Sequence, residues 1–314
     1  ILLHDIGHGA FSHALEDSIV NGISHEEISL KFMKKLNEEF DGKLSLAIEI
    51  FEGKYERRFF NQLISSQLDI DRLDYLKRDS FYTGVKEGNI SSDRLIAMMN
   101  VFKDELVIEK KGIYSVENFL IARRLMYWQV YLHKTGLVAE NMLVKILQRA
   151  KELATQNVKL PATKTMQYFL YNQITKENFT NETLEIFSKL DDYDVLSAIK
   201  EWASHSDTIL SKLSIMIMNR NLLKINIQDK EFAKQEVKKQ REKLISKFNI
   251  EPTFAHYFVF EGTVSNQAYN TSNPIKIVFK NNVTIDIASA SDQLNLQALT
   301  KPVKKFYLCY PKKM

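Results

Sequence analysis

This chain has few places to turn sharply: ten glycines and five prolines in 314 residues. Glycine supplies positive-φ backbone and proline stops helices, so a chain poor in both favours long helices over a turn-rich β fold. Apolar residues recur at helical spacing over 59–79, 91–101, 115–156, 161–175, 180–204 and 206–222. The longest segment, 115–156, is rich in Leu, Met, Ala and Arg, and its aromatic stripe (Tyr127, Trp128, Tyr131) belongs by default to the core. Ser24-His25-Glu26-Glu27 reads as a capping box, with Ser24 as N-cap and Glu27 returning to the backbone. Ile28, Leu30, Phe32, Met33 and Leu36 continue that helix, and 227–247 reads as a charged helix with a solvated face. From Ala255 the composition shifts to short β-rich stretches at 257–261, 275–279, 283–287 and 306–310, with Lys280-Asn281-Asn282 turning between the middle two. The expected fold is mainly α: a large helical core over 1–225, then a smaller C-terminal α+β lobe over 226–314.

Composition narrows the function classes. Apolar residues make up 45% and charged residues 26%, the balance of a soluble globular protein. The net charge is only +4. Lys and Arg thicken at 234–247 and 301–313, but Glu and apolar residues interrupt them, which reads as a solvated surface and does not indicate nucleic acid. The one cysteine, Cys309, excludes an internal disulfide framework and fits a reducing cytoplasm. No apolar run approaches the roughly 18 residues of a membrane span, and no signal-peptide pattern is present. A cytoplasmic protein without a membrane partner is expected.

Two stretches carry chemistry. The first is Leu3-His4-Asp5-Ile6-Gly7-His8-Gly9-Ala10-Phe11-Ser12-His13; four of the seven histidines fall before residue 26. Adjacent His4 and Asp5 offer an imidazole nitrogen and a carboxylate oxygen, a pair suited to a divalent cation. The chain starts without Met, and the expectation is that an upstream segment precedes Ile1. The second stretch is Gln67-Leu68-Asp69-Ile70-Asp71-Arg72-Leu73-Asp74-Tyr75-Leu76-Lys77-Arg78-Asp79, with four carboxylates and three cations in 13 residues. Asp71, Tyr75 and Asp79 are spaced by four, so on a helix they share a face. That stripe suits a metal at one end and a polar ligand at the other. It fits equally well a surface helix held by i,i+4 ion pairs, and spacing alone leaves both open.

Taken together, His4-Asp5 and the later Asp-Ile-Asp-Arg-Leu-Asp-Tyr resemble the HD-domain metal phosphohydrolases. The likeness is greatest to the deoxynucleoside triphosphate (dNTP) triphosphohydrolases, including the sterile-alpha-motif/HD protein and its bacterial relatives. Arg123 through Tyr131-Leu132-His133-Lys134 and Arg220-Asn221-Leu222-Leu223-Lys224 extend it over most of 1–225. The resemblance implies an HD-domain helical core and a divalent metal (Mn, Mg, Fe or similar) held by His4, Asp5, Asp71 and a histidine upstream of Ile1. It implies hydrolysis of dNTPs to deoxynucleoside and triphosphate, with His13 as general acid and Glu16 orienting its ring. His8, His25 and Glu26 match positions that bind phosphate or support the acid. Arg72 and Arg123 match the phosphate-binding cations. Asp79 matches an acceptor for the 3′-hydroxyl, Tyr75 a ring that leaves no room for a 2′-hydroxyl, and Tyr131 a neighbour of the base. His133-Lys134 resembles a stretch that helps bind a dNTP activator at subunit contacts, which implies a homo-oligomer, a tetramer first. Two further readings stand beside this one: another HD phosphohydrolase acting on nucleoside monophosphates or guanosine alarmones, and an inactive nucleotide-binding HD scaffold. Tyr75 and Asp79 argue against the former, because those chemistries need no 3′-hydroxyl and 2′-exclusion pair.

Overall fold

The computed structural model of the chain describes residues 1–12, 14, 18–293 and 295–312. Its fold is mainly α with small sheets, as the helical spacing implies. Two compact units are built from interleaved segments. One comprises Ile1–His4, Leu36–His133 and Val264–Lys304; the other comprises Asp5–Lys35, Lys134–Thr263 and Lys305–Met314.

In the first unit, helices Ile70–Thr83 and Ile113–Met126 pack together over a core that includes Leu73, Leu76, Val116, Phe119, Leu120 and Met126. Beside them a hairpin, Met99–Phe102 with Glu105–Glu109, pairs from Met99↔Ile108 to Phe102↔Glu105. Lys276–Val278 adds in parallel to the second strand, and Thr284–Asp286 closes the sheet antiparallel. The turn at 280–282 is where composition places it, with Asn282 at φ 61°. The hairpin itself replaces the end of the helix expected over 91–101, which stops at Met98. Its turn residues Lys103 and Asp104 take φ 50° and 62°, the primed-turn backbone that favours Asn-Gly and that this dipeptide does not announce.

The second unit packs helix Thr208–Met218 against Lys134–Thr155 and Asp192–Trp202. Trp202 is fully buried and donates its indole N–H to Pro161 O at 2.9 Å. Val20–Asn21 pairs in parallel with Ile174–Thr175, and Lys224–Gln228 pairs antiparallel with the end of Val303–Tyr310. The charged helix starts later than expected, at Lys234, because 224–228 is spent on this sheet.

Several expected helices are two. The span 59–79 is Arg58–Ile64 and Ile70–Thr83; 115–156 is Ile113–Met126, a π turn Tyr127–Tyr131 and Lys134–Thr155; 180–204 is Asn181–Phe187 and Asp192–Trp202. Polar caps inside the pattern restart the chain at Asp69 and Asp191, each accepting a backbone N–H of the helix it opens. Among the described residues no helix is long and apolar enough to cross a membrane.

Cys309 lies wholly buried in the strand that pairs with Lys224–Gln228, and burial pushes its thiol up to about 12 from a usual 9. The native chain is therefore expected to resist iodoacetamide at pH 8 and to react fully in denaturant, read by mass spectrometry; rapid native labelling would contradict this placement. The unfolded chain ionises this thiol first, so the group's contribution to stability is present below pH 9 and lost as pH rises towards 12.

Candidate metal and phosphate-binding residues

In the first unit the His4 ring is set by the backbone. Its Nδ1 lies 2.5 Å from Ile1 O. A carbonyl oxygen only accepts, so Nδ1 carries the proton and the lone pair is on Nε2. Nε2 lies 3.8 Å from Asp71 Oδ1. That is too long for a hydrogen bond, but suits two atoms that each sit about 2.0–2.2 Å from one ion. An imidazole nitrogen and a carboxylate oxygen so placed fit a divalent cation.

Asp71 stands in the first turn of Ile70–Thr83, and the residue that opens this helix also sets its neighbour. Asp69 is fully buried and accepts from Arg72 N at 2.8 Å and Ser66 N at 3.1 Å, while also pairing with the Arg72 guanidinium. Arg123, buried on the neighbouring helix, donates from Nη1 to Ala268 O at 3.5 Å and lies over the Tyr127 ring. In both arginines the Nε–H is buried without an acceptor among the described residues. A buried donor left unpaired is costly, and an acceptor reaching either guanidinium would relieve that cost. Burial pushes the Tyr75 phenol up to about 12, and Arg123 and Arg72 both act on it in the opposite sense, so both cations lie close enough to be felt at this ring.

Four residues beyond Tyr75, Asp79 accepts from Tyr131 Oη at 2.8 Å. Burial, then the Asp79 acceptor and its charge, raise the Tyr131 phenol above its ordinary value. Tyr131 meets Tyr75 edge-on, with centroids 5.8 Å apart. The π turn Tyr127–Tyr131 presents it there, and such turns recur at functional sites because they re-aim a side chain within a helix. Tyr131 is thus half-buried beside Asp79 and is not simply core.

In the second unit the capping box holds as read: Ser24 N donates to Glu27 Oε2 at 3.2 Å and Glu27 N to Ser24 Oγ at 3.3 Å. The histidine loop lies directly on this helix start. Gly7 N donates to Ser29 Oγ at 2.9 Å, and a Cβ on Gly7 would stand 2.2 Å from His25 O and 2.3 Å from Ser29 N. Only glycine allows that approach. It stacks His8 on His25, with ring centroids 3.9 Å apart and planes 16° from parallel. His8 Nδ1 is 3.0 Å from Ser12 Oγ, and His8 Nε2 is 4.0 Å from Asp5 Oδ1. His25 Nε2 is 3.3 Å from Glu26 Oε1. Burial opposes ionisation of Glu26, but the Ser24 hydroxyl, the backbone and the two histidines outweigh it and hold the carboxyl below its ordinary range. Asp5, His8 and His25 offer ligand atoms within 4.8 Å of one another. Phe11 and Ser12 adopt φ 53° and 50°, left-handed backbone of the kind that concentrates at functional loops. His13 and Glu16 lie outside the described residues.

The structure thus brings His4 together with Asp71, and Arg72, Arg123, Tyr75, Asp79 and Tyr131 into one neighbourhood of the first unit. It brings Asp5, His8, His25 and Glu26 together in the second. Asp69 and Gly7 were not singled out from sequence. Asp69 had a local signal, a capping residue three before Arg72; Gly7 had none, since its neighbours are 18 and 22 residues away in the chain.

Comparison with known proteins places this architecture. The model of the HD associated region matches residues 90–176. A phosphohydrolase of Bacteroides thetaiotaomicron, known from a crystal structure, is 51% identical, aligns over 99% of this chain and 78% of its own, and superposes with a TM-score of 0.94. The chain belongs to the HD-domain phosphohydrolases. Among curated relatives, the uncharacterised YwfO of Bacillus subtilis is 34% identical over 70% of this chain and 51% of its own length. The deoxynucleoside triphosphate triphosphohydrolase SAMHD1 homologue of Dictyostelium discoideum is 29% identical over 48% of this chain and 32% of its own. This HD phosphohydrolase therefore spans between about a third and two thirds of the length of the curated relatives it matches.

Proposed function

We propose that this HD phosphohydrolase cleaves dNTPs to a deoxynucleoside and inorganic triphosphate. The observation that carries the reading is the convergence of two arginines with unmet buried donors, Arg72 and Arg123, on the Tyr75, Asp79 and Tyr131 cluster. A polyanion answers the cations, and a sugar answers the carboxylate and ring. The relative named as a dNTP triphosphohydrolase supports the same substrate class.

His4, Asp5 and Asp71 are the proposed ligands of a divalent ion such as Mn, Mg or Fe. When bound, the ion supplies Lewis-acid polarisation of the α-phosphate. Arg72 and Arg123 neutralise the triphosphate and hold it in line for attack by water. Asp79 keeps one carboxylate oxygen on Tyr131 and accepts the 3′-hydroxyl with the other. Tyr75, braced edge-on by Tyr131, lies beneath the sugar and excludes a 2′-hydroxyl by bulk. Water adds to the α-phosphorus and the bond to the 5′-oxygen breaks. His13 delivers a proton to that oxygen, oriented by Glu16, and triphosphate departs intact. His8, His25 and Glu26 hold phosphate oxygens and support the acid. A homotetramer with a dNTP activator bound near His133-Lys134 is part of the same reading.

Incubating the chain with each dNTP and a divalent metal, and resolving products by ion exchange, is expected to yield triphosphate; orthophosphate or pyrophosphate would overturn the bond assignment. In the same assay Asp79→Ala should erase roughly 10- to 100-fold of the preference for an intact 3′-hydroxyl, the worth of a hydrogen bond to a charged group. Undiminished discrimination against 3′-deoxy analogues would reject that contact.

A further inference from the structure

Gln67 sits two residues before the buried cap Asp69 and spends its whole side-chain amide on one distant loop. Its Oε1 accepts from Asn270 N at 2.6 Å; its Nε2 donates to Asn270 O at 2.6 Å and also to Asn273 O. The amide thus acts as an edge of backbone for a segment 203 residues away in sequence. That loop is held by its own contacts. Tyr269 is fully buried, donates its hydroxyl to Asp286 and accepts Ile275 N at 3.0 Å, while Tyr269 N donates to Leu299 O at 3.2 Å. Asn270 Oδ1 accepts from Ser272 N and Ser272 Oγ at 3.0 and 2.7 Å.

The other end of the same loop reaches the second phosphate cation, because Ala268 O is the acceptor of Arg123 Nη1. Arg123 and Arg72 stand on different helices. One short loop therefore touches Arg123 directly and is tied by Gln67 to the chain two residues before Asp69, the partner of Arg72. We infer that Gln67 is a positioning residue: by clamping loop 268–273 to the start of the Asp71 helix, it sets the spacing of the Arg72 and Arg123 guanidiniums and thereby the affinity for a triphosphate chain. The inference rests on the dNTP reading above. Two cations that grip a polyanion lose much of their binding when their spacing drifts by about 1 Å, since orientation is what such clamps supply. The loop has Tyr269 anchors that do not involve Gln67, so removing this side chain is expected to change stability little.

The test is Gln67→Ala in the full chain, alone and combined with Arg123→Lys. KM for a dNTP, and Kd for inorganic tripolyphosphate by calorimetry, are expected to rise about tenfold, with kcat within about twofold and the melting temperature little changed. In the Arg123→Lys background the same change should cost less than about twofold, because the loop then has less to align. A merely structural Gln67 would lower melting temperature and active fraction equally in both backgrounds, and that result, or an unchanged KM, overturns the inference. Should Gln67→Ala fail to fold, Gln67→Glu keeps the acceptor for Asn270 N and sets a carboxylate against two carbonyls, with the same KM and Kd rise expected. Wild-type chain that binds no tripolyphosphate and cleaves no dNTP overturns the substrate reading itself, which separates the two failures.

Discussion

Asp71→Asn is expected to lose metal-dependent turnover by at least about a thousandfold, the several kcal/mol that metal-ion catalysis contributes. The replacement has the same shape, and the helix that carries it is capped by Asp69, so the backbone should stand. What disappears is the negative oxygen 3.8 Å from His4 Nε2. An amide brings either a neutral oxygen or an N–H that repels a cation. Calorimetric titration with Mn²⁺ and product analysis check the two halves separately. Metal affinity and turnover both within twofold of wild type would remove Asp71 from the ligand set. Asp74→Asn is the matched control: Asp74 is exposed and pairs with Arg78 Nη2 at 2.9 Å on the outer face, an interaction worth little.

Gly7→Ala should be a costly single-methyl change, with the nearest main-chain clash of any glycine whose surroundings are described. The new Cβ would meet His25 O at 2.2 Å and Ser29 N at 2.3 Å. Both are main-chain atoms of a helix, which cannot give way as a flexible side-chain end can. Either the loop lifts or the helix start shifts, and overpacking of this kind costs about 3 kcal/mol. The Gly7 bond to Ser29 and the His8–His25 stack would go with it. Urea unfolding should show the lost stability, and turnover should fall about a hundredfold as the histidines leave their places. A variant with wild-type midpoint and rate would mean that the loop does not need this approach.

The four carboxylates of 67–79 show what was legible in the sequence. Their spacing puts Asp71, Tyr75 and Asp79 on one face, and the helix Ile70–Thr83 bears that out. Spacing left the functional stripe and the surface ion-pair helix both open; the structure shows an ion pair of the second kind, Asp74 with Arg78 outside, while Asp79 turns to Tyr131. The capping box at Ser24 was equally readable, because its two bonds span only three residues. Helix ends were harder. Apolar periodicity runs on through Asp69 and Asp191, and only burial of the Asp69 carboxylate, or the capping geometry of Asp191, reveals the break. The Gln67–Asn270 clamp had no local signature at all, since a glutamine reads as an ordinary polar residue until the distant loop arrives.

The π turn at Tyr127–Tyr131 carries a consequence for chain length. A π turn is one residue more than an α-helix of the same span needs. A chain lacking one residue here would narrow this last turn to α, and the Tyr131 hydroxyl would lose the wider turn that now aims it at Asp79. In this helix an added residue does the work usually credited to a choice of side chain, so substitution scans would pass over it and a single-codon deletion would find it.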